Sequence, residues 1–142
     1  MFRPKELAPG YRVEAFDVSG FRLLVKQNQD EVLALIKMIT PRLHSVGSGR
    51  SGLKLSDMTD CVRLIKLADG NVNEYEIVGL ACFKFEVRKK DGKRIMRYFG
   101  SVVSLGESRE LQQQLHAQAL KYLKECVHTQ VIDLSSNESP CN

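Results

Sequence analysis

Apolar and polar positions alternate most regularly between residues 74 and 105, along two arms joined by Asp91-Gly92. Asp-Gly is a tight-turn dipeptide, because both central residues of a type I′ turn need positive φ. If residues 91 and 92 form a two-residue turn, Lys90 faces Lys93 and the register of the whole hairpin follows. One face then reads Val87–Met96, Phe85–Tyr98, Phe83–Gly100 and Ala81–Val102, apolar along its length. The other reads Glu86–Arg97, Lys84–Phe99, Cys82–Ser101, Leu80–Val103 and Val78–Leu105, charged near the tip and apolar near the base. A one-residue slip mixes Phe and Val with Lys and Glu on both faces, so pattern and turn chemistry select one register.

The period changes from two to 3.6 after Ser108. Leu111, Leu115, Ala119, Tyr122 and Cys126 form a stripe widened by Leu120 and Leu123, which predicts a helix over 108–127 lying on the apolar sheet face. Earlier in the chain, residues 13–17 and 21–26 read as two short extended runs, and Ser19-Gly20 between them reads as a turn, giving a small hairpin. Asn28-Gln29-Asp30-Glu31 opens a helix with capping-box spacing. Val32, Leu35, Ile36, Ile39 and Leu43 continue it, and Pro41 is expected to end or kink it. Residues 61–67 read as a strand turned back by Asp69-Gly70-Asn71, and 129–134 as a last short strand.

These elements predict an α+β fold with a single antiparallel sheet, in the order ββαβββα plus the short final strand, and with the helices packed on the sheet. The expected organisation is an N-terminal arm over 1–12, one domain over 13–134 and a disordered tail over 135–142. The chain of 142 residues is long enough to form a core without a metal or disulfide staple. Hydrophobic residues make up 43% and charged residues 27%, an ordinary globular mixture that excludes a disordered class. No apolar run approaches the roughly 18 residues of a membrane span, and residues 1–6 lack the apolar core of a signal peptide. The expected location is intracellular, cytoplasmic or nuclear. Cys61, Cys82, Cys126 and Cys141 have no CxxC spacing and read as core residues or bystanders in a reducing compartment.

Charge is uneven along the chain. Segment 84–97 holds Lys84, Arg88, Lys89, Lys90, Lys93, Arg94 and Arg97 against Glu86 and Asp91, a balance of +5 beside +4 for the whole chain. Cations gathered at one hairpin end suit a phosphate backbone, since each contact releases condensed counterions, and exposed Tyr98 and Phe99 would stack on bases. A charged tip also keeps a long hairpin soluble without any ligand. Gly47-Ser48-Gly49-Arg50-Ser51-Gly52 contains G-x-G-x-x-G, but a helix precedes it where the dinucleotide fingerprint needs a strand, so it reads as a surface loop. His44, His116 and His128 form no site by spacing. A Cys–His nucleophilic pair would need the fold to bring partners together, for example Cys82 and His116. Asp57 and Asp60 lack an opposing carboxylate, and no group has zinc-ligand spacing.

Two family resemblances follow from the element order. From residue 21 to 134 the order strand, helix, three strands, helix, strand is similar to the first part of the GNAT acetyltransferase fold. That resemblance implies acetyl-CoA binding at the turn between Leu105 and Leu111, where the family carries Arg or Gln followed by x-x-Gly-x-Gly/Ala. This chain reads Leu105-Gly106-Glu107-Ser108-Arg109-Glu110-Leu111-Gln112, with Gln112 and Gln114 after Arg109 in place of small residues. Residues 30–126 also resemble a double-stranded RNA-binding domain in their helix, three strands, helix order. There the last helix opens on lysines; here it opens on Ser108-Arg109-Glu110.

The leading expectation is a non-catalytic binding protein whose basic hairpin end contacts RNA or another polyanionic partner, with self-association and with no cofactor, metal or catalytic residue. The first alternative is a degenerate, pared-down acetyltransferase-like enzyme that uses acyl-CoA at the 105–112 turn. The second is a structural or adaptor protein acting through protein contacts.

Overall fold

The computed structural model describes residues 5–43, 59–68, 71–126 and 129–133. The elements are β1 (Lys5–Ala8), β2 (Tyr11–Phe16), α1 (Val18–Gln27), α2 (Gln29–Leu43), β3 (Asp60–Ala68), β4 (Asn71–Val87), β5 (Arg94–Val103), α3 (Arg109–Lys124) and β6 (Gln130–Asp133). The strands form one sheet in the order β1-β2-β3-β4-β5-β6. Each neighbouring pair is antiparallel except β5 and β6, which run parallel. The fold is therefore α+β with one mixed sheet, and the expectation of a purely antiparallel sheet is corrected. A hairpin reverses the chain, but β6 is reached through α3, and a helical crossover returns the next strand in the same direction.

Two cores sit on the two sheet faces. α1 and α2 cover one, where Phe21, Leu24, Val32, Ile36 and Ile39 meet Cys61, Ile65, Leu80, Cys82 and Phe99. α3 covers the other, where Leu111, Leu115, Ala119 and Leu123 meet Val13, Leu64, Phe83, Met96 and Tyr98. β3 and β4 lie inside the sheet and are buried on both faces, which is why Cys61-Val62 and Leu80-Ala81-Cys82-Phe83 read as apolar runs without alternation.

Two early readings change. Residues 21–26 belong to helix α1, not to a hairpin strand. Asp17, in extended conformation, accepts a hydrogen bond from Gly20 N at 3.0 Å and caps that helix. The Ser19-Gly20 turn signal thus lies in a helical first turn. Lys5–Ala8, within the stretch read as an arm, pairs with β2 as the first strand. α2 continues past Pro41 to Leu43.

The central hairpin forms, in a different register. Arg88 N donates to Lys93 O at 2.8 Å and Gly92 N to Arg88 O at 2.7 Å, so the turn is wider than Asp91-Gly92 alone. Asp91 holds it shut through Arg88 and the Lys93 amide. Phe85 consequently faces Met96 and Phe83 faces Tyr98. The register shifts again between Cys82 and Phe83, opposite Gly100 at φ +130°, a backbone conformation that glycine adopts freely and other residues rarely. Below that irregularity Val102 joins the α1/α2 core, while Phe83 and Tyr98 remain on the α3 side.

The segment 44–58, which includes the Gly/Ser loop, His44 and Asp57, lies outside the described residues, as do His128 and the 134–142 tail. Among the described residues, no helix is long and apolar enough to cross a membrane.

Candidate functional site at the start of the crossover helix

The only parallel connection in the described sheet is β5-α3-β6. β5 and β6 pair from Ile95↔Gln130 to Tyr98↔Asp133, and β5 then runs on from Phe99 to Val103. At the carboxyl end of β5 the chain turns through 104–108 into α3. Ser104 N donates to Val78 O at 2.8 Å and Glu107 N to Ser104 O at 3.1 Å, which fixes the turn to the sheet. Gly106 sits at φ +98° with open space where a Cβ would project. Ser108 is extended, and its hydroxyl accepts from Leu111 N at 3.1 Å, so the helix begins at Arg109. Open strand ends and helix N-termini are where α/β crossovers offer backbone N–H groups and a positive dipole to an anion.

The two flanks of α3 differ. Helical spacing puts Glu110 and Gln114 on one side, together with Glu107 from the turn. There a cleft of about 430 Å³ opens against β1, β2 and β3, lined also by Tyr11, Lys66 and Leu111. Tyr11 donates its hydroxyl to Glu107 Oε1 at 2.9 Å, and that hydrogen bond, with burial, raises the Tyr11 pKa above its ordinary value. The Lys66 ammonium lies 5.9 Å from the Tyr11 ring centre. The Glu107 carboxylate is thereby drawn toward the cleft.

Spacing of three and four residues puts Arg109, Gln112 and His116 on the other flank, over β5. Gln112 Nε2 donates to Ser101 O at 2.9 Å, and His116 Nδ1 lies 2.8 Å from the Tyr98 hydroxyl. The His116 ring also stacks on Tyr98, with centroids 5.7 Å apart and planes at 26°. Tyr98 is fully buried and stacks on Phe83, which in turn touches Tyr122. Tyr122 donates to the nearly buried Asp60 at 2.8 Å, and Asp60 accepts a second bond from Thr59 at 2.6 Å. Burial, then the Asp60 charge, push the Tyr122 pKa far up, so this phenol is a structural donor.

The residues singled out from sequence separate into several places. Lys89, Lys90, Lys93 and Arg94 are exposed at the hairpin tip, while Lys84 and Arg97 are half-buried farther down the arms. Arg88 is paired with Asp91 at 2.9 Å, Arg97 with Glu86 at 2.9 Å, and Arg94 lies over the Phe85 ring. Tyr98 and Phe99 are both inside the protein. Cys82 lies opposite Cys61 on the α1/α2 face, whereas His116 is on the α3 face, so the suggested Cys82–His116 pair does not form. Burial raises the pKa of both thiols, which leaves them protonated core residues. Among the described residues, no group of three or more His, Cys, Asp or Glu could hold a metal ion. Sequence spacing missed the cleft and the Tyr98–His116 contact, because their members come from distant strands. The apolar stripe of α3 only hinted that His116 lay at its border.

No protein-family model matches the chain, and no curated protein matches it. Solved structures do. An aminoglycoside acetyltransferase from an uncultured soil metagenomic sample is similar at 9% identity and TM-score 0.48, over 90% of this chain and 79% of that one. A GNAT family acetyltransferase from Staphylococcus aureus is similar at 17% identity and TM-score 0.48, over 94% and 93%. A ribosomal-protein-alanine N-acetyltransferase from Brucella melitensis is similar at 13% identity and TM-score 0.38, over 90% and 82%. The expectation of a non-catalytic RNA-binding protein with a basic-hairpin site is corrected. Tyr98 and Phe99, expected to stack on bases if exposed, are buried.

Proposed function

We propose that the chain is an acyl-CoA-dependent transferase whose donor sits where β5 turns into α3. The observation that carries this reading is the construction of that turn: an open left-handed Gly106, a serine-capped helix start and Arg109 as the first helical residue, following the strand that feeds the parallel crossover. The donor's pyrophosphate would meet the backbone around Gly106 and the first-turn amides of α3, with Arg109 supplying positive charge.

The residues present fit such a group, with one cost. Gly106 leaves the room that a phosphate needs to approach backbone. Glu110 and Glu107 partly offset the positive helix end, but Glu107 is tied to Tyr11 and Glu110 lies on the cleft flank, away from Arg109. Gln112 and Gln114, where small residues stand in the GNAT motif, do not occupy the turn. Gln112 reaches back to Ser101, and Gln114 lines the cleft. When bound, the donor supplies an activated acyl thioester; the chain's part is to hold it and to position the acceptor.

Calorimetric titration with acetyl-CoA tests this directly. Saturable binding to the wild-type chain, weakened at least tenfold in Arg109→Glu and unchanged in a Lys89→Glu/Lys90→Glu variant, is expected. Absence of binding to the wild-type chain at millimolar acetyl-CoA would overturn the reading.

A further inference from the structure

We propose that His116, held by Tyr98, is the group that accepts the proton from the acyl acceptor's amine. This rests on the donor site proposed above. Three observations carry it.

First, His116 is fixed in two independent ways. Its Nδ1 is 2.8 Å from the Tyr98 hydroxyl, and its ring lies stacked on the Tyr98 ring. Tyr98 is itself immobilised, fully buried against Phe83. A ring gripped at one nitrogen and along one plane has its other nitrogen, Nε2, held in a set direction. A base oriented through its second nitrogen by a fixed partner is the arrangement general-base catalysis requires.

Second, the location suits a reacting centre. Tyr98 is the last residue of β5 paired to β6 in the described sheet, and His116 lies above it on the α3 flank that also carries Arg109 and Gln112. An extended donor anchored at Gly106 and Arg109 would have to run back along β5 past Ser101 for its far end to meet His116.

Third, titratable groups stand on the elements packed around the ring. Tyr98 faces the ring from β5. Asp133, the register partner of Tyr98 on β6, is exposed on the same sheet face. Arg109 lies two turns away on α3, and Gln112 and Leu120, one turn to either side of His116, do not titrate.

The chemistry balances with an acyl thioester as co-reactant. Neutral His116 takes one proton from the acceptor's ammonium. The freed amine lone pair forms the new C–N bond, the C–S bond breaks, and the second proton, shed by the nitrogen as it becomes an amide, goes to the departing thiolate. For Nε2 to accept, the resting ring must carry its proton on Nδ1 and donate it to the Tyr98 oxygen. That tautomer is the less common one for a free imidazole, so its presence is a sharp marker of the arrangement.

Two measurements on the full chain test this. Nitrogen-15 spectra of the histidine rings above their titration range should show His116 protonated at Nδ1, and Tyr98→Phe should shift it toward the Nε2-protonated form. Carbethoxylation by diethyl pyrocarbonate, mapped by mass spectrometry to separate His116 from His44 and His128, should label His116. Saturating acetyl-CoA should slow that labelling at least tenfold, and adenosine 3′,5′-bisphosphate, which lacks the acyl arm, should slow it less than twofold. If acetyl-CoA binds but His116 is labelled at an unchanged rate, or if the resting ring is Nε2-protonated, His116 is not the acceptor and the donor site stands. If acetyl-CoA does not bind, the donor site itself falls and this inference with it.

Discussion

β5 has two ends, and they contrast. Its beginning at Arg94 lies in the most charged part of the molecule, and its end at Val103 opens into a turn with almost no net charge. At the tip, Arg88 and Asp91 satisfy each other, and the lysines around them are exposed. At the other end a left-handed glycine and a helix cap open beside a cleft on one flank of α3, and the other flank carries a clamped histidine farther along the helix. Charge density marked the first region in the sequence. Construction marks the second, and construction is the better guide, because a binding site needs groups held in place.

The largest test of that contrast is packing. Phe83 is fully buried and supports Tyr98 and, through it, His116. Phe83→Ala should cost about 3–5 kcal/mol, the usual range for emptying a core aromatic site. Lys89→Ala at the tip should stay within about 0.5 kcal/mol of the original, as surface changes generally do. Urea unfolding of both variants checks the pair. A small loss for Phe83→Ala would mean that the support under the site is loose.

Gly79 gives an intermediate effect at the base of the hairpin. A Cβ there would meet Leu115 Cδ2 at 3.0 Å, Leu64 Cβ at 3.1 Å and the Val102 carbonyl at 3.2 Å. Overpacking of this kind costs about 1–3 kcal/mol. Gly79→Ala should therefore lower thermal stability and, by pushing Leu115, weaken acetyl-CoA binding. A neutral result would show that α3 is free to move off the sheet.

The smallest effect belongs to the tip. The Arg88 hydrogen bond, then the Lys93 amide, hold the Asp91 carboxyl at about 2, below its ordinary value. A depressed carboxyl pKa contributes stability above the unfolded-state value, and that contribution disappears as pH falls toward 2. Melting temperatures measured between pH 5 and 2 should fall slightly less steeply in Asp91→Asn than in the original chain. Equal slopes would mean that the Arg88–Asp91 pair is open in solution.

Much of this fold was legible because local signals agreed. The α3 stripe, the helix start before Val32 and the two hairpin arms each follow from period and turn chemistry. The errors have physical causes. Residues 21–26 read as an extended run after the Ser19-Gly20 turn signal, but Asp17 caps Gly20 and the segment buries Phe21 and Leu24 at helical spacing. The hairpin register failed because Asp91 bonds Arg88 and Lys93 and widens the turn, and because Gly100 accommodates an irregularity that local pattern does not reveal. β6 was expected from its composition, but its direction was set by the crossover. The site was the least legible part. Tyr11 and Glu107 are 96 positions apart, and His116 meets Tyr98 only once α3 is laid on β5.

The central claim is that the functional end of β5 is its carboxyl end. Backbone amide spectra recorded during titration with acetyl-CoA test it most directly. The account predicts saturable shifts at Gly106, Ser108, Arg109 and Glu110 with Lys89, Lys90 and Lys93 unmoved. Shifts confined to the hairpin tip, or none at saturating ligand, would contradict it.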